Sequence, residues 1–385
     1  MSTAAPRKDS TFEWLVAPIL VWVELDKNAI VGADWPRCVS ELTTDDGDAV
    51  WVAADESGTS GENLADRDFV VAHATVCMDD VEAASVLAEL RAKAGATQAA
   101  EAKFSQFAKD AGLRALAEAF GSGGHLSGRV SIMVADKPFV IVAKIVDLIV
   151  EEWAHDRGIN LYAGGTARQM ALTLSQKGPR VLGDQWDQLL AAFVSLARAK
   201  QRRGAKESVA SFYVRLREAR RQCWLRDVGR VLDVLLASHE HAEDLVSFVA
   251  DEETVVSTMD PMSFLVGDQI AFAHNRYGRV RFLHDEQNLL TRPFVETVLI
   301  GVAASHVAFG GEGPPPVLAD FCLGRSKDHP SIQLADLAAS AGRVTVEAHL
   351  GKPSLAADML REAVSPSIAR GVLRDGDAFW VGRST

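Results

Sequence analysis

The sequence predicts an α/β protein carrying a long helical insertion, and three observations lead there. Short apolar runs of strand length, closed by polar or Gly-containing turns, recur along the chain. Ala-, Leu- and Glu-rich segments with apolar residues at helical spacing lie between them. From Phe139 to about Leu236 the helical pattern continues with few breaks before another strand appears.

Taken in order, residues 49–54 (AVWVAA) form the first strand, ended by the polar turn Asp55-Glu56-Ser57-Gly58. Residues 69–76 (FVVAHATV) form a second, and the short loop between them makes the pair a hairpin. Helices follow over 81–94 and 97–120, ended by the glycines of 121–124. Residues 130–135 (VSIMVA) are a strand closed by Asp136-Lys137-Pro138. The insertion breaks only at Gly164-Gly165, Gly178-Pro179 and Gly204, and acids crowd 240–253 downstream of it. A short strand, 280–283 (VRFL), runs into His284-Asp285-Glu286. After the Gly/Pro loop of 310–316, residues 332–343 (IQLADLAASAGR) form the last recognisable helix.

The 385 residues include 48% apolar and 24% charged, with 40 basic against 52 acidic residues for a formal charge of −12. That composition is that of an ordinary soluble protein, and at about 150 residues per domain the length fits two or three domains, or one with an insertion. The best apolar runs, 14–23 and 139–150, fall short of the ~20 residues a bilayer span needs and are interrupted by Pro18, Lys144 and Asp147. No membrane association is expected. The start of the chain lacks a secretory h-region, and Cys38, Cys77, Cys223 and Cys322 make neither a CxxC pair nor a disulfide scaffold, so the expected location is cytoplasmic. Net acidity argues against non-specific attraction to nucleic acid over the whole surface.

Three strands end in a carboxylate: the first in Asp55, the third in Asp136, and the fourth, through His284, in Asp285. If they are neighbours in one sheet, like charges meet, and either a proton or a cation must neutralise them. All-oxygen clusters of this kind suit Mg²⁺ or Mn²⁺. The competing reading is that each Asp only caps a turn. Asp336 sits among Ala335, Leu337, Ala338 and Ala339 in a helix whose small residues allow close approach to a sheet. A carboxylate buried there is costly unless paired or metal-bound, and the competing reading is that Asp336 faces solvent or binds a basic residue such as Arg343. Glu101 and Lys103, two apart, share a face only in an extended segment or at a frayed helix end.

Asp55-Glu56-Ser57-Gly58, Glu101-x-Lys103, Asp136-Lys137, Asp285 and Gln333-x-Ala335-Asp336-Leu337, in that order, resemble the DUF3800 family of bacterial, archaeal and phage proteins. Lys144-Ile-Val-Asp147-Leu and Ile159-Asn160-Leu161-Tyr162 resemble a segment that longer members carry. The resemblance spans roughly 50–343. It departs after the first motif, where Thr59-Ser60-Gly61-Glu62 stands in place of the second acid of many members.

The resemblance implies a ribonuclease H-like mixed sheet with flanking helices, formed by 46–138 and 279–350. The helical insertion then covers 139–278, residues 1–45 are an N-terminal extension, and 351–385 a C-terminal tail. It implies a metal-dependent nuclease, a phosphodiester hydrolase using Mg²⁺ or Mn²⁺. Asp55, Asp285 and Asp336 would be ligands on first strand, later strand and helix, with Glu101 a bridging or outer acid. Lys103 and Lys137 would serve a phosphate or the leaving oxygen; Glu56, Asp136 and Gln333 are secondary candidates.

Between Arg198 and Arg226 ten basic residues face two acids, with Phe212, Tyr213 and Trp224 interleaved. Arg202, Arg203, Lys206, Arg217, Arg220 and Arg221 are therefore candidates for nucleic-acid binding, RNA, DNA or hybrid. The alternative is a solvated face, or one paired with the acids of 240–253. His239-Glu240-His241 is poorly spaced for a metal on a helix. No HExxH, Gly-rich phosphate loop or GxSxG occurs, which excludes zinc-peptidase, P-loop and serine-hydrolase readings. A non-catalytic nucleic-acid-binding or regulatory protein is the second functional class; the resemblance implies a mobile-element or phage-defence setting for either class, and self-association into a homo-oligomer is open.

Overall fold

The computed structural model describes residues 49–59, 61–65, 68–97, 101–162, 164–198, 207–249, 259–308, 310–311 and 314–375. The N-terminal extension 1–45, with its Trp-rich run, and Arg202, Arg203 and Lys206 lie outside the described residues.

Apolar runs with β-branched residues become the strands of one six-stranded mixed sheet, ordered β5-β4-β1-β2-β3-β6. β1 (Val50–Ser57) and β2 (Val70–Val76) form the expected antiparallel hairpin, with Asp55 opposite Ala74. β3 (Val130–Asp136) continues antiparallel to β2. On the other side β4 (Val280–Asp285) runs parallel to β1, Ala54 opposite His284, and β5 (Leu318–Gly324) parallel to β4. β6 (Ile368–Val372), from the tail, lies parallel to β3. The central strand β2 is buried along its whole length, as expected of a strand covered on both faces.

Two local expectations change. Asp55, Glu56 and Ser57 are strand rather than turn, because the β2 ladder continues to Ser57 opposite Ala72. The turn comes at Gly58, whose φ of +81° only glycine adopts easily; a Cβ there would also lie 2.3 Å from Val70 O. The helix expected over 97–120 is broken into α2 (Phe104–Phe107) and α3 (Asp110–Phe120), following α1 (Asp80–Ala94). Lys103 is extended, at φ −121° and ψ 143°.

The insertion begins with α4 (Lys137–Ile145), passes through a π-helical turn at Val146–Val150, and continues as α5 (Glu151–His155), α6 (Thr166–Leu182), α7 (Asp184–Ala197), α8 (Val209–Gln222), α9 (Arg226–Ala237) and α10 (His239–Val249). Its core, including Phe193, Phe212 and Tyr213, is continuous with Val71, Met133 and Ala135 of the sheet. α11 (Met262–Tyr277) and α12 (Arg292–Ala308) follow, and α11 packs on β2 and β3. Its Gln269 amide donates to the carbonyls of His73, at 2.9 Å, and Ser131, at 3.0 Å.

On the opposite face α13 (Pro330–His349) lies across β1 and β2, with α14 (Leu355–Val364) beside it. The small residues Ala335, Ala338, Ala339, Ala341 and Gly342 are buried there, and they allow the close approach the sequence implied. A Cβ on Gly342 would stand 2.7 Å from Ile132 Cγ2. No helix among the described residues is long and apolar enough to cross a membrane.

Candidate functional site

Strand alternation sorts the acids at the β1 and β4 ends onto two faces. Ala53 and Leu283 cluster with Ile332 under α13, so Asp55 and Asp285, two residues further along, share that face. Ser57 confirms the parity, its Oγ lying 3.1 Å from Ser340 Oγ of α13. Glu56, His284 and His73 take the other face, with Val52, Ala54 and Phe282 under α11.

Asp55 is 5% exposed, and its Oδ1 accepts from the Glu56 backbone N–H at 2.7 Å. Burial pushes its carboxyl well above the usual carboxylate range, and the charges of Glu56, Asp336 and Asp285 push the same way. Asp285 Oδ1 accepts from the Ser326 backbone N–H at 2.9 Å. Asp336 is raised by burial, opposed by Lys103. That partner differs from the one anticipated: Lys103 Nζ, not Arg343, stands 3.2 Å from Asp336 Oδ2. Arg343 instead donates to Ser57 Oγ at 3.1 Å and pairs with Glu347.

Glu101 and Lys103 share a side because their segment is extended, one of the two conditions the spacing allowed. Lys103 Nζ lies 2.9 Å from Glu101 Oε1, which also accepts from Ser326 Oγ. Ser326 and Lys103 together lower the Glu101 carboxyl. Burial would lower the Lys103 amine, but Glu101 and Asp336 outweigh it and raise it. Gln333 is the brace: its Oε1 accepts from the Ala102 N–H at 2.9 Å and from Arg91 at 3.0 Å, and its Nε2 donates to Ser326 O at 2.7 Å.

Across the sheet, Glu56 Oε1 accepts from Gln287 Nε2, while Oε2 is buried without a hydrogen bond. Its carboxyl is pushed up to about 7, by burial first and then by Asp285, Asp260 and Asp336. His284 Nε2 lies 3.8 Å from Glu56 Oε2. His284 Nδ1 must donate to Asp285 O at 2.9 Å, because a carbonyl only accepts. Burial holds this ring neutral, its pKa lowered to about 4, so its Nε2 accepts from His73 Nε2–H at 2.9 Å. His73, fully buried, is likewise pushed well below its ordinary value.

Asp136 and Lys137 are not part of this arrangement. Asp136, fully buried, is held by Arg374, whose Nη2 donates to Oδ1 at 2.6 Å and whose Nε donates to Oδ2. Lys137 is 1% exposed in the first turn of α4, so its amine does not face an open surface. Asp147 belongs to the insertion core, bonded by Tyr162 Oη at 2.8 Å and by Lys144 at 3.4 Å.

In the basic segment, Phe212 and Tyr213 are buried, packed with Phe193 and His239 rather than free to stack on bases. Arg220 makes a two-pronged bond to Asp233 at 2.6 and 3.1 Å. Arg215 pairs with Glu207 and Arg221 with Glu218, both acids of the same segment. Arg217 is exposed, as is Trp224, 65% accessible, with the Arg180 guanidinium 5.9 Å from its ring.

Ser326, Asp260, Gln287 and the His73–His284 pair were missed by sequence reasoning. Only His284 carried a local signal, as the neighbour of Asp285. No group of three or more His, Cys, Asp or Glu side chains among the described residues is arranged, as placed, to hold a metal ion. Family models, curated proteins and solved structures contain no match to this chain.

Proposed function

We propose that the protein is a divalent-metal-dependent nuclease, a phosphodiester hydrolase of the DUF3800 type with a ribonuclease H-like sheet. One observation carries this reading: Asp55 on central β1 and Asp285 on neighbouring β4, from distant parts of the chain, share the sheet face that α13, the carrier of Asp336, covers. Burying like charges costs several kcal/mol per ion unless a proton or cation compensates. The donor set fits Mg²⁺ or Mn²⁺, since it is oxygen throughout.

Asp55, Asp285 and Asp336 would hold the metal, with Glu101 at its margin. When bound, it would activate water and stabilise the leaving oxygen of a phosphodiester. Ser326 and Gln333 orient the carboxylates from behind, through the bonds to Asp285, Glu101 and Ala102. Lys103, 46% exposed at its side chain beside Glu101 and Asp336, would meet a phosphate there. The exposed Arg217 and Trp224 of the insertion are candidates for a contact with the nucleic-acid chain beyond the cleavage point.

The test is cleavage of labelled single-stranded DNA, RNA and hybrid duplex with Mg²⁺, Mn²⁺ or EDTA, comparing the unaltered protein with Asp55→Asn and Asp336→Asn. Metal-dependent cutting lost in both variants supports the nuclease. A second reading, a non-catalytic nucleic-acid-binding or regulatory protein, is favoured by the lysine already bonded to two of the acids. Binding without cutting, unchanged in both variants, selects it.

A further inference from the structure

We propose that Lys103 is a built-in counter-ion of the acidic group, bridging Glu101 and Asp336 until a divalent cation displaces it. This rests on the metal reading and adds a competition within the site to it.

The geometry supports displacement rather than a permanent brace. Lys103 Nζ sits 2.9 Å from Glu101 Oε1 and 3.2 Å from Asp336 Oδ2, linking the extended 101–103 segment to α13. The backbone of that segment is anchored independently: Ala102 is fully buried and its N–H donates to Gln333 Oε1 at 2.9 Å. Glu101 is held by Ser326 Oγ as well. The ammonium can therefore leave without undoing what positions the carboxylates. It is a single charge on a flexible four-carbon stem, and its side chain is 46% exposed, with solvent to move into. The Arg374 clamp on Asp136 is the contrast, being two-pronged with the acid fully buried.

Two carboxylates point at an ammonium, Asp55 Oδ1 at the Glu56 N–H, and Asp285 Oδ1 at the Ser326 N–H. A divalent cation carries twice the charge of the ammonium and takes oxygens at about 2.0–2.1 Å for Mg²⁺, so it outcompetes Lys103 for Asp336. Apparent metal affinity is then reduced by the fraction of molecules in which Lys103 holds the site.

The experiment measures Mn²⁺ binding by electron paramagnetic resonance of the free ion, on the full chain and on Lys103→Met, Lys103→Arg and Asp55→Asn. Two partly exposed ion pairs released together predict about fivefold tighter binding in Lys103→Met, with Lys103→Arg near the unaltered protein. In parallel, amine-reactive labelling of the unaltered protein, read at Lys103 by mass spectrometry, should rise when Mn²⁺ is added. That arm needs no variant, so misfolding of Lys103→Met does not obscure it. Equal or weaker Mn²⁺ binding by a folded Lys103→Met, or labelling unchanged by Mn²⁺, overturns the counter-ion and leaves the metal reading standing. Absence of Mn²⁺ binding in both the unaltered protein and Lys103→Met overturns the metal reading itself, and binding that survives Asp55→Asn unchanged removes it from this site.

Discussion

Asp285 accepts a hydrogen bond from the backbone N–H of Ser326 at 2.9 Å, and the hydroxyl of the same serine donates to Glu101. One residue in the loop between β5 and α13 thus sets two acids that no local pattern connects. Ser326→Ala keeps the first bond and removes the second. It should cost about 1 kcal/mol in urea unfolding and raise the Glu101 pKa, read by carboxyl NMR. An unchanged Glu101 titration would remove Ser326 from the site.

The Glu56 carboxyl, pushed up from 4.5 to about 7, makes a signed statement about pH. Protonated in the fold while the unfolded chain ionises, it contributes stability that is present below about 4.5 and is lost as pH rises through about 7. Glu151, also raised to about 7, and other buried acids add their own slopes, so the informative quantity is a difference. Glu56→Gln should remove part of the decline between these pH values, on the order of 3 kcal/mol at most. Chemical denaturation of both proteins across pH 4 to 8 measures it; parallel curves would contradict the assignment.

Arg374→Met leaves Asp136 buried without its cation. The expected loss is about 3–5 kcal/mol, visible in thermal and urea unfolding, while Mn²⁺ affinity stays within about twofold, since Asp136 lies outside the acidic group. A selective loss of metal binding would place Asp136 back in the site.

Gly342→Ala puts a methyl 2.7 Å from Ile132 Cγ2 and pushes α13 away from the sheet. Overpacking of this kind costs about 1–3 kcal/mol. Because α13 carries Asp336, Mn²⁺ binding should weaken as well. Adding Ile132→Val should recover part of both. Stability lost without any effect on Mn²⁺ would show that Asp336 does not depend on the seating of the helix.

The α/β layering and the β1–β2 hairpin were legible because they depend on local patterns, apolar alternation and a glycine that turns the chain. Asp55, Asp285 and Asp336 could be picked out as candidates because a carboxylate ending an apolar strand, or set in an alanine-rich helix, stands out against its neighbours. The Glu101–Lys103 pairing hung on one backbone choice, extended or helical, which the Ala102–Gln333 bond decides from far along the chain. The Arg374 clamp, β5 and β6 were hidden for the same reason: their meaning lies in partners, and neither the tail nor 318–324 has a strong pattern of its own. Phe212 and Tyr213 misled because aromatic residues among arginines read alike on a binding surface and on the inner face of an amphipathic helix.

The pairing of β1 with β4 sets an order of events in synthesis. Asp55 leaves the ribosome early, yet the strand that brings Asp285 beside it follows only after the whole helical insertion, and α13 with Asp336 comes later still. A nascent chain can close the β1–β2 hairpin and pack helices of the insertion, whose contacts are local, long before it can assemble the acidic group. Assembly of the acidic group therefore waits for α13, and a chain that stops before it has the hairpin and the insertion but lacks Asp336.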